Sequence, residues 1–121
     1  DDSNKDRLFF YLFRKNKEIV EFYREKIITA SDVNSFYYSC KFFCQLIVES
    51  EDEGEYKNKI PVYLFRDRNF LIEIYKKYDS KKKKLLLKLL YETEKILRKE
   101  NNLSPMSGLR FLLNIKKITV S

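Results

Sequence analysis

VNSFYYSCKFFCQLIVES, residues 33 to 50, decides the fold. Stepped at ~100° per residue, Val33, Phe36, Tyr37, Cys40, Phe43, Cys44, Ile47 and Val48 share one face, while Tyr38, Phe42 and Leu46 occupy the other. A helix that is apolar on two sides sits at the centre of a bundle. So many aromatics would also suit a strand, but the segment is too long and lacks turn signals. TASD, residues 29 to 32, supplies the start, with Thr29 or Ser31 as the cap.

The flanking segments repeat the helical period. Residues 3 to 28 open with Ser3 and Asp6 in capping-box spacing. There Leu8, Phe9, Leu12, Phe13, Ile19, Val20, Tyr23 and Ile27 fall within one arc, which predicts one helix kinked or interrupted near Asn16. ESEDEGEYKNK, residues 49 to 59, is acidic, carries Gly54 and has no period, so it reads as an exposed loop. Pro61 then marks a first helical position or an extended lead-in. Asp67 caps a helix with Phe70, Leu71, Ile74, Tyr75 and Tyr78 on one face, and Ser80 caps another running to about Lys99. Ser104 followed by Pro105 starts the last helix, weakened modestly by Gly108, and ITVS at 118 to 121 reads as a frayed tail or a truncated continuation.

The expectation is therefore an all-α, single-domain bundle of about five or six helices with short connections over residues 1–121. The acidic loop 49–59 is internal to it, and the domain is one that could be excised from a longer chain. Composition agrees. Two glycines and two prolines serve few turns, and 44% hydrophobic residues suit a packed chain. At 121 residues a core can form without metal or disulfide staples.

Several chemistries are excluded by residue type. With no histidine, Ser-His and Cys-His nucleophile pairs and imidazole zinc sites are absent. The two cysteines, Cys40 and Cys44, are too few for a thiolate zinc site, and on one helix face they suit buried free thiols in a reducing compartment. Gly54 and Gly108 are isolated, so no glycine-rich phosphate loop exists. The carboxylates at 51, 52, 53 and 55 lack the burial that would separate their pKa values. The expectation is a protein that is not an enzyme, with no catalytic residues, cofactor or metal. No apolar run approaches the ~20 residues of a membrane span. The localisation expected is intracellular, with a secreted protein trimmed of its leader as the other reading, since residue 1 is Asp rather than Met.

The net charge of +7 invites a polyanion partner. Yet lysine outnumbers arginine 18 to 7, a bias that A/T-rich codons would also produce, and specific base recognition leans on arginine. The basic signal concentrates in SKKKKLLLKLLYETEKILRKE, residues 80 to 100. On a wheel, Leu85, Leu86, Leu89, Leu90, Ile96 and Leu97, with Thr93 among them, span roughly 140° and form the core face. Lys81, Lys84, Lys88, Lys95 and Lys99 form a strip about 60° wide on the far side, with Leu87 and Tyr91 beside it. Lys82 and Lys83 point elsewhere. Lysines in a first helical turn oppose the macrodipole, so they call for an explanation.

These seven residues, Lys81, Lys84, Lys88, Lys95, Lys99, Leu87 and Tyr91, are the candidate partner-binding surface. Charge steering beside an apolar anchor suits a protein partner. A nucleic-acid backbone held by the lysines ranks second, and a secreted or host-directed effector third. A membrane is disfavoured because the leucines are needed in the core. Tyr91, Tyr56 and Tyr63 are the aromatics expected to be exposed.

Overall fold

A computed structural model describes Phe9, Phe10 and residues 19–120. Among the described residues there are six α-helices, one 3-10 helix and no strand. They are α1 (Ile19–Lys26), α2 (Ala30–Glu49), α3 (Glu53–Lys59), the 3-10 helix (Val62–Asp67), α4 (Arg68–Lys76), α5 (Ser80–Glu100) and α6 (Pro105–Val120). The all-α bundle is as expected. The Ser3–Asp6 capping box and the break near Asn16 lie outside the described residues.

The long helix α2 begins where the sequence signals it. Thr29 Oγ1 accepts from the Asp32 amide at 3.1 Å and the Asp32 carboxylate accepts from the Thr29 amide at 3.0 Å, a complete capping box. Its main face packs as predicted: Val33, Phe36, Tyr37, Cys40, Phe43, Cys44 and Ile47 are buried. On the second face only Leu46 is buried, and Tyr38 and Phe42 stay exposed. Helices α2, α5 and α6 pack pairwise, and α2 also meets α3. The core is aromatic. Phe9 stacks on Phe43 with centroids 4.6 Å apart, and Tyr37 meets Phe111 edge-on at 5.0 Å. Burying each such ring contributes roughly 1.5–3 kcal/mol.

The acidic loop expected at 49–59 is instead mostly helix. Asp52 Oδ1 accepts from the Glu55 amide at 2.8 Å and starts α3. Glu53 and Glu55 fill its first turn and Lys57 and Lys59 its last, the order the helix dipole favours. Glu55 pairs with Lys59 at 3.0 Å, and this contact with the Glu51 amide holds the Glu55 carboxyl below its ordinary value. Hydrophobic period could not announce a helix of seven residues held by charge order and one aromatic. That aromatic is Tyr56, which is 1% exposed and stacked on Tyr75 at 4.5 Å, so it is not the exposed ring expected. Tyr63 is exposed as anticipated.

Three further expectations change at helix ends. Asp79, not Ser80, caps α5, its carboxylate accepting from the Lys82 amide at 2.8 Å. Asp67 stands at the N-cap of α4 without a side-chain bond. Residues 118–120 continue α6 rather than fray: Thr119 is buried and donates to the Ile115 carbonyl at 2.8 Å while Tyr78 donates to Thr119 at 2.5 Å. Ser121 lies outside the described residues. Two other ends are as read. Ser104 accepts from the Ser107 amide at 3.1 Å with Pro105 as the first residue of α6. Asn101 ends α5 at φ 66°, a left-handed position that asparagine tolerates.

Gly108 does more than weaken a turn. A Cβ there would stand 2.4 Å from the Tyr23 hydroxyl and 3.0 Å from Val33 Cγ1. The glycine lets Tyr23 slide beneath α6 and donate to the Pro105 carbonyl at 2.7 Å, tying α1 to α6 across 82 positions of sequence.

Candidate functional site

Helix α5 runs antiparallel to α2. Asn34 bonds Asn102 at 2.9 Å near one end, and the hydroxyl of Tyr37 donates to Glu94 at 2.9 Å further along. Lys41 pairs with the same carboxylate. This register lays the outer half of α5 alongside the exposed edge of α2.

The lysines of α5 divide into two groups. Lys82 and Lys83 fold inward. Lys82 Nζ donates to the Thr119 carbonyl at 3.0 Å, at the C-terminus of α6. Lys83 Nζ donates to the Ser50 carbonyl and to the Tyr75 hydroxyl, each at 2.8 Å, at the C-terminus of α2. These positions explain lysines in a first helical turn: antiparallel packing brings their heads to the negative ends of two neighbouring helices. Lys81, Lys84, Lys88, Lys95 and Lys99 stay exposed as a strip. Among the described residues, ion pairing within the strip is limited to Lys88 with Glu92 at 4.0 Å.

The expected core face of α5 is narrower than its wheel suggested. Leu86, Leu90 and Thr93 are buried and Leu89 and Leu97 are partly so, but Leu85 and Ile96 are exposed. Ile96 lies at the edge bordering α6, where it lines a crevice with Leu89 and Phe111.

On the opposite edge, Leu87 and Tyr91 are 53% and 59% exposed, where the candidate surface needs them. They line a groove of about 410 Å³ between α2 and α5, with Val48 and Leu90 beside them. Lys41, Gln45 and Glu49 form the α2 wall, and Glu94 and Arg98 complete the α5 wall. Sequence reading missed the α2 side. Lys41, Gln45 and Val48 recur at helical spacing, but nothing in the chain says which neighbour they face. The groove is electrostatically uneven. Lys41 and Tyr37 hold the Glu94 carboxyl below its ordinary value against the opposing effect of burial, so Glu94 is ionised and already paired. The Lys95 ammonium lies 5.0 Å from the centre of the Tyr91 ring, joining the strip to the groove.

Elsewhere the titratable groups are structural. Burial raises the Cys44 thiol far above its ordinary value, and Cys40 and Cys44 are both buried and outside any disulfide. Burial likewise pushes up Tyr23, Tyr37, Tyr56 and Tyr78. Among the described residues, no three of His, Cys, Asp and Glu are grouped to hold a metal ion. Nor is any described helix long and apolar enough to cross a membrane. No family model, curated protein or solved structure matches the chain.

Proposed function

We propose that this chain is a non-enzymatic helical interaction module that holds a protein partner in the groove between α2 and α5. The observation that carries the reading is the contrast within one turn of α5. Leu86 and Leu90 are buried, whereas Leu87 and Tyr91 are more than half exposed beside Val48. Exposed apolar side chains lining a concavity suit a protein partner, Tyr91 and Arg98 are of the types enriched in interface hot spots, and the nearby charge can steer an encounter. With no histidine, Ser-His and Cys-His nucleophile pairs do not compete with this reading. Two buried cysteines that form no disulfide suit a reducing compartment.

Capture from an extract of the source cells, before and after nuclease, tests the reading. Wild-type protein should retain a nuclease-resistant partner, and Leu87→Asp and Tyr91→Ala should lose it while far-UV circular dichroism stays unchanged. A retained set indifferent to Leu87→Asp would sink the groove. The lysine strip favours a second reading, contact with a nucleic-acid backbone. In that case the retained set disappears with nuclease and Lys84→Glu with Lys88→Glu abolishes binding.

A further inference from the structure

Resting on the groove reading above, we infer that the segment held between α2 and α5 is an acidic amphipathic helix of the partner protein. Shape is the first ground. From Leu87 to Arg98 the α5 wall rises about 17 Å at ~1.5 Å per residue, or three helical turns. A seam between two antiparallel helices accepts a third helix that sets one apolar side chain per turn into it. Val48, Leu87, Leu90 and Tyr91 supply an apolar floor for such anchors.

Charge is the second ground, and it selects the sign of the partner. Six carboxylates elsewhere in the fold are engaged: Glu55 with Lys59, Glu53 and Glu73 with Lys76, and Asp32, Asp52 and Asp79 as helix caps. Of the two carboxylates that line the groove, Glu94 is taken by Lys41 and Tyr37, and Glu49 lies on the α2 wall rather than on the helix that carries the lysine strip. Among the described residues, Lys81, Lys84, Lys95 and Lys99 have no carboxylate within ion-pairing distance. The strip spans about 27 Å of α5 on the face beside Leu87 and Tyr91, and so extends beyond the groove toward the N-terminus of the helix. A bound helix with carboxylates on its outward flank would meet this row while its apolar face fills the seam. Lysines on flexible stems suit such a diffuse row of carboxylates, where a bidentate site would call for arginine.

The floor distinguishes this occupant from nucleic acid. Phosphates could use the strip, but a backbone would leave Leu87 and the open side of Val48 in water. The exposed ring beside them, Tyr91, carries the Lys95 ammonium 5.0 Å from its centre, so a stacking base would compete with that cation for one ring face.

Two synthetic helical peptides of about 18 residues, the length of the strip, decide the matter by fluorescence anisotropy. Both carry leucine at i, i+4, i+7 and i+11; one has glutamate on the flank and the other lysine. The glutamate peptide should bind at least about tenfold more tightly than the lysine peptide. Its affinity should fall about tenfold or more in the Lys84→Glu/Lys88→Glu protein, and it should be lost with Leu87→Asp. Equal binding of the two peptides, or no binding of the glutamate peptide, overturns the acidic helix and leaves the groove to the capture experiment. Binding of the glutamate peptide that survives Leu87→Asp overturns the groove as its seat. A mixed-sequence RNA oligonucleotide that displaces the glutamate peptide, and binds Leu87→Asp as well as wild type, assigns the strip to nucleic acid and overturns the inference.

Discussion

Lys83 reaches from the first turn of α5 to the carbonyl oxygen of Ser50, 2.8 Å away at the C-terminal end of α2. The same carbonyl accepts from the Tyr75 hydroxyl at 2.8 Å, and Ser50 is buried with its hydroxyl turned back to Leu46 at 2.6 Å. One lysine thereby closes the junction of α2, α4 and α5, whereas Lys84 beside it stands exposed in the strip.

That division separates adjacent lysines by their effect on stability. Lys83→Met keeps the stem but removes two charge-assisted bonds, each worth roughly 1.5–3 kcal/mol when fully sheltered. With Lys83 half-buried, a loss of about 1–2 kcal/mol is expected in urea unfolding. Lys84→Met, on the exposed strip, should stay within about 0.5 kcal/mol of wild type.

Adjacent leucines should diverge in the same way. Leu86 is buried, and Leu86→Ala should cost about 2–5 kcal/mol. Leu87→Ala should cost less than about 1 kcal/mol because that side chain is already wet. Thermal unfolding of the two variants side by side checks this; equal losses would mean that Leu87 belongs to the core.

Gly108→Ala would raise helix propensity by up to about 1 kcal/mol on an exposed helix. Here the added methyl meets the Tyr23 hydroxyl, which is anchored to Pro105, so a net loss of about 1–3 kcal/mol is expected. Tyr23→Phe removes the clashing oxygen. In a double-mutant cycle the pair should therefore be less destabilised than the sum of the single variants.

Glu94 makes stability depend on acid. Its folded pKa is lowered, chiefly by the Lys41 bond, from an ordinary value of 4.5. The unfolded chain thus takes up the proton first. The contribution is complete above pH 4.5 and is lost as pH falls through the lower folded value. Glu94→Gln should flatten the pH dependence below that point, and solvent screening keeps its cost at neutral pH under about 1 kcal/mol. Urea midpoints between pH 7 and pH 3 measure the difference.

Cys40 and Cys44 should be silent toward thiol reagents in the folded protein. Both are buried, and burial holds the Cys44 thiol in its protonated, unreactive form. Labelling by a disulfide reagent should be complete in denaturant and should proceed in buffer only at the rate of unfolding. Rapid labelling of the native state would show that the interior of α2 opens locally.

Local chemistry made most of the helices legible. The apolar period of residues 33–50, the Thr29–Asp32 box and the Ser104–Pro105 start act over three or four residues, and each is realised in the fold. The lysine strip, with Leu87 and Tyr91 at its side, was also legible, because a wheel fixes which side chains share a face. Helix α3 was not, since seven residues show no reliable period and its stability comes from charge order and from Tyr75, nineteen positions beyond Tyr56.

A wheel cannot name the neighbour that covers a face. Tertiary packing alone decided that Lys82 and Lys83 answer the carbonyl ends of α6 and α2, that Gly108 makes room for Tyr23, and that Lys41, Gln45 and Val48 form the second wall of the groove. The sequence by itself determined which side chains of α5 face outward. Whether they stand on a solvated ridge or beside a concave seam depended on the antiparallel register with α2, set by contacts more than fifty residues apart.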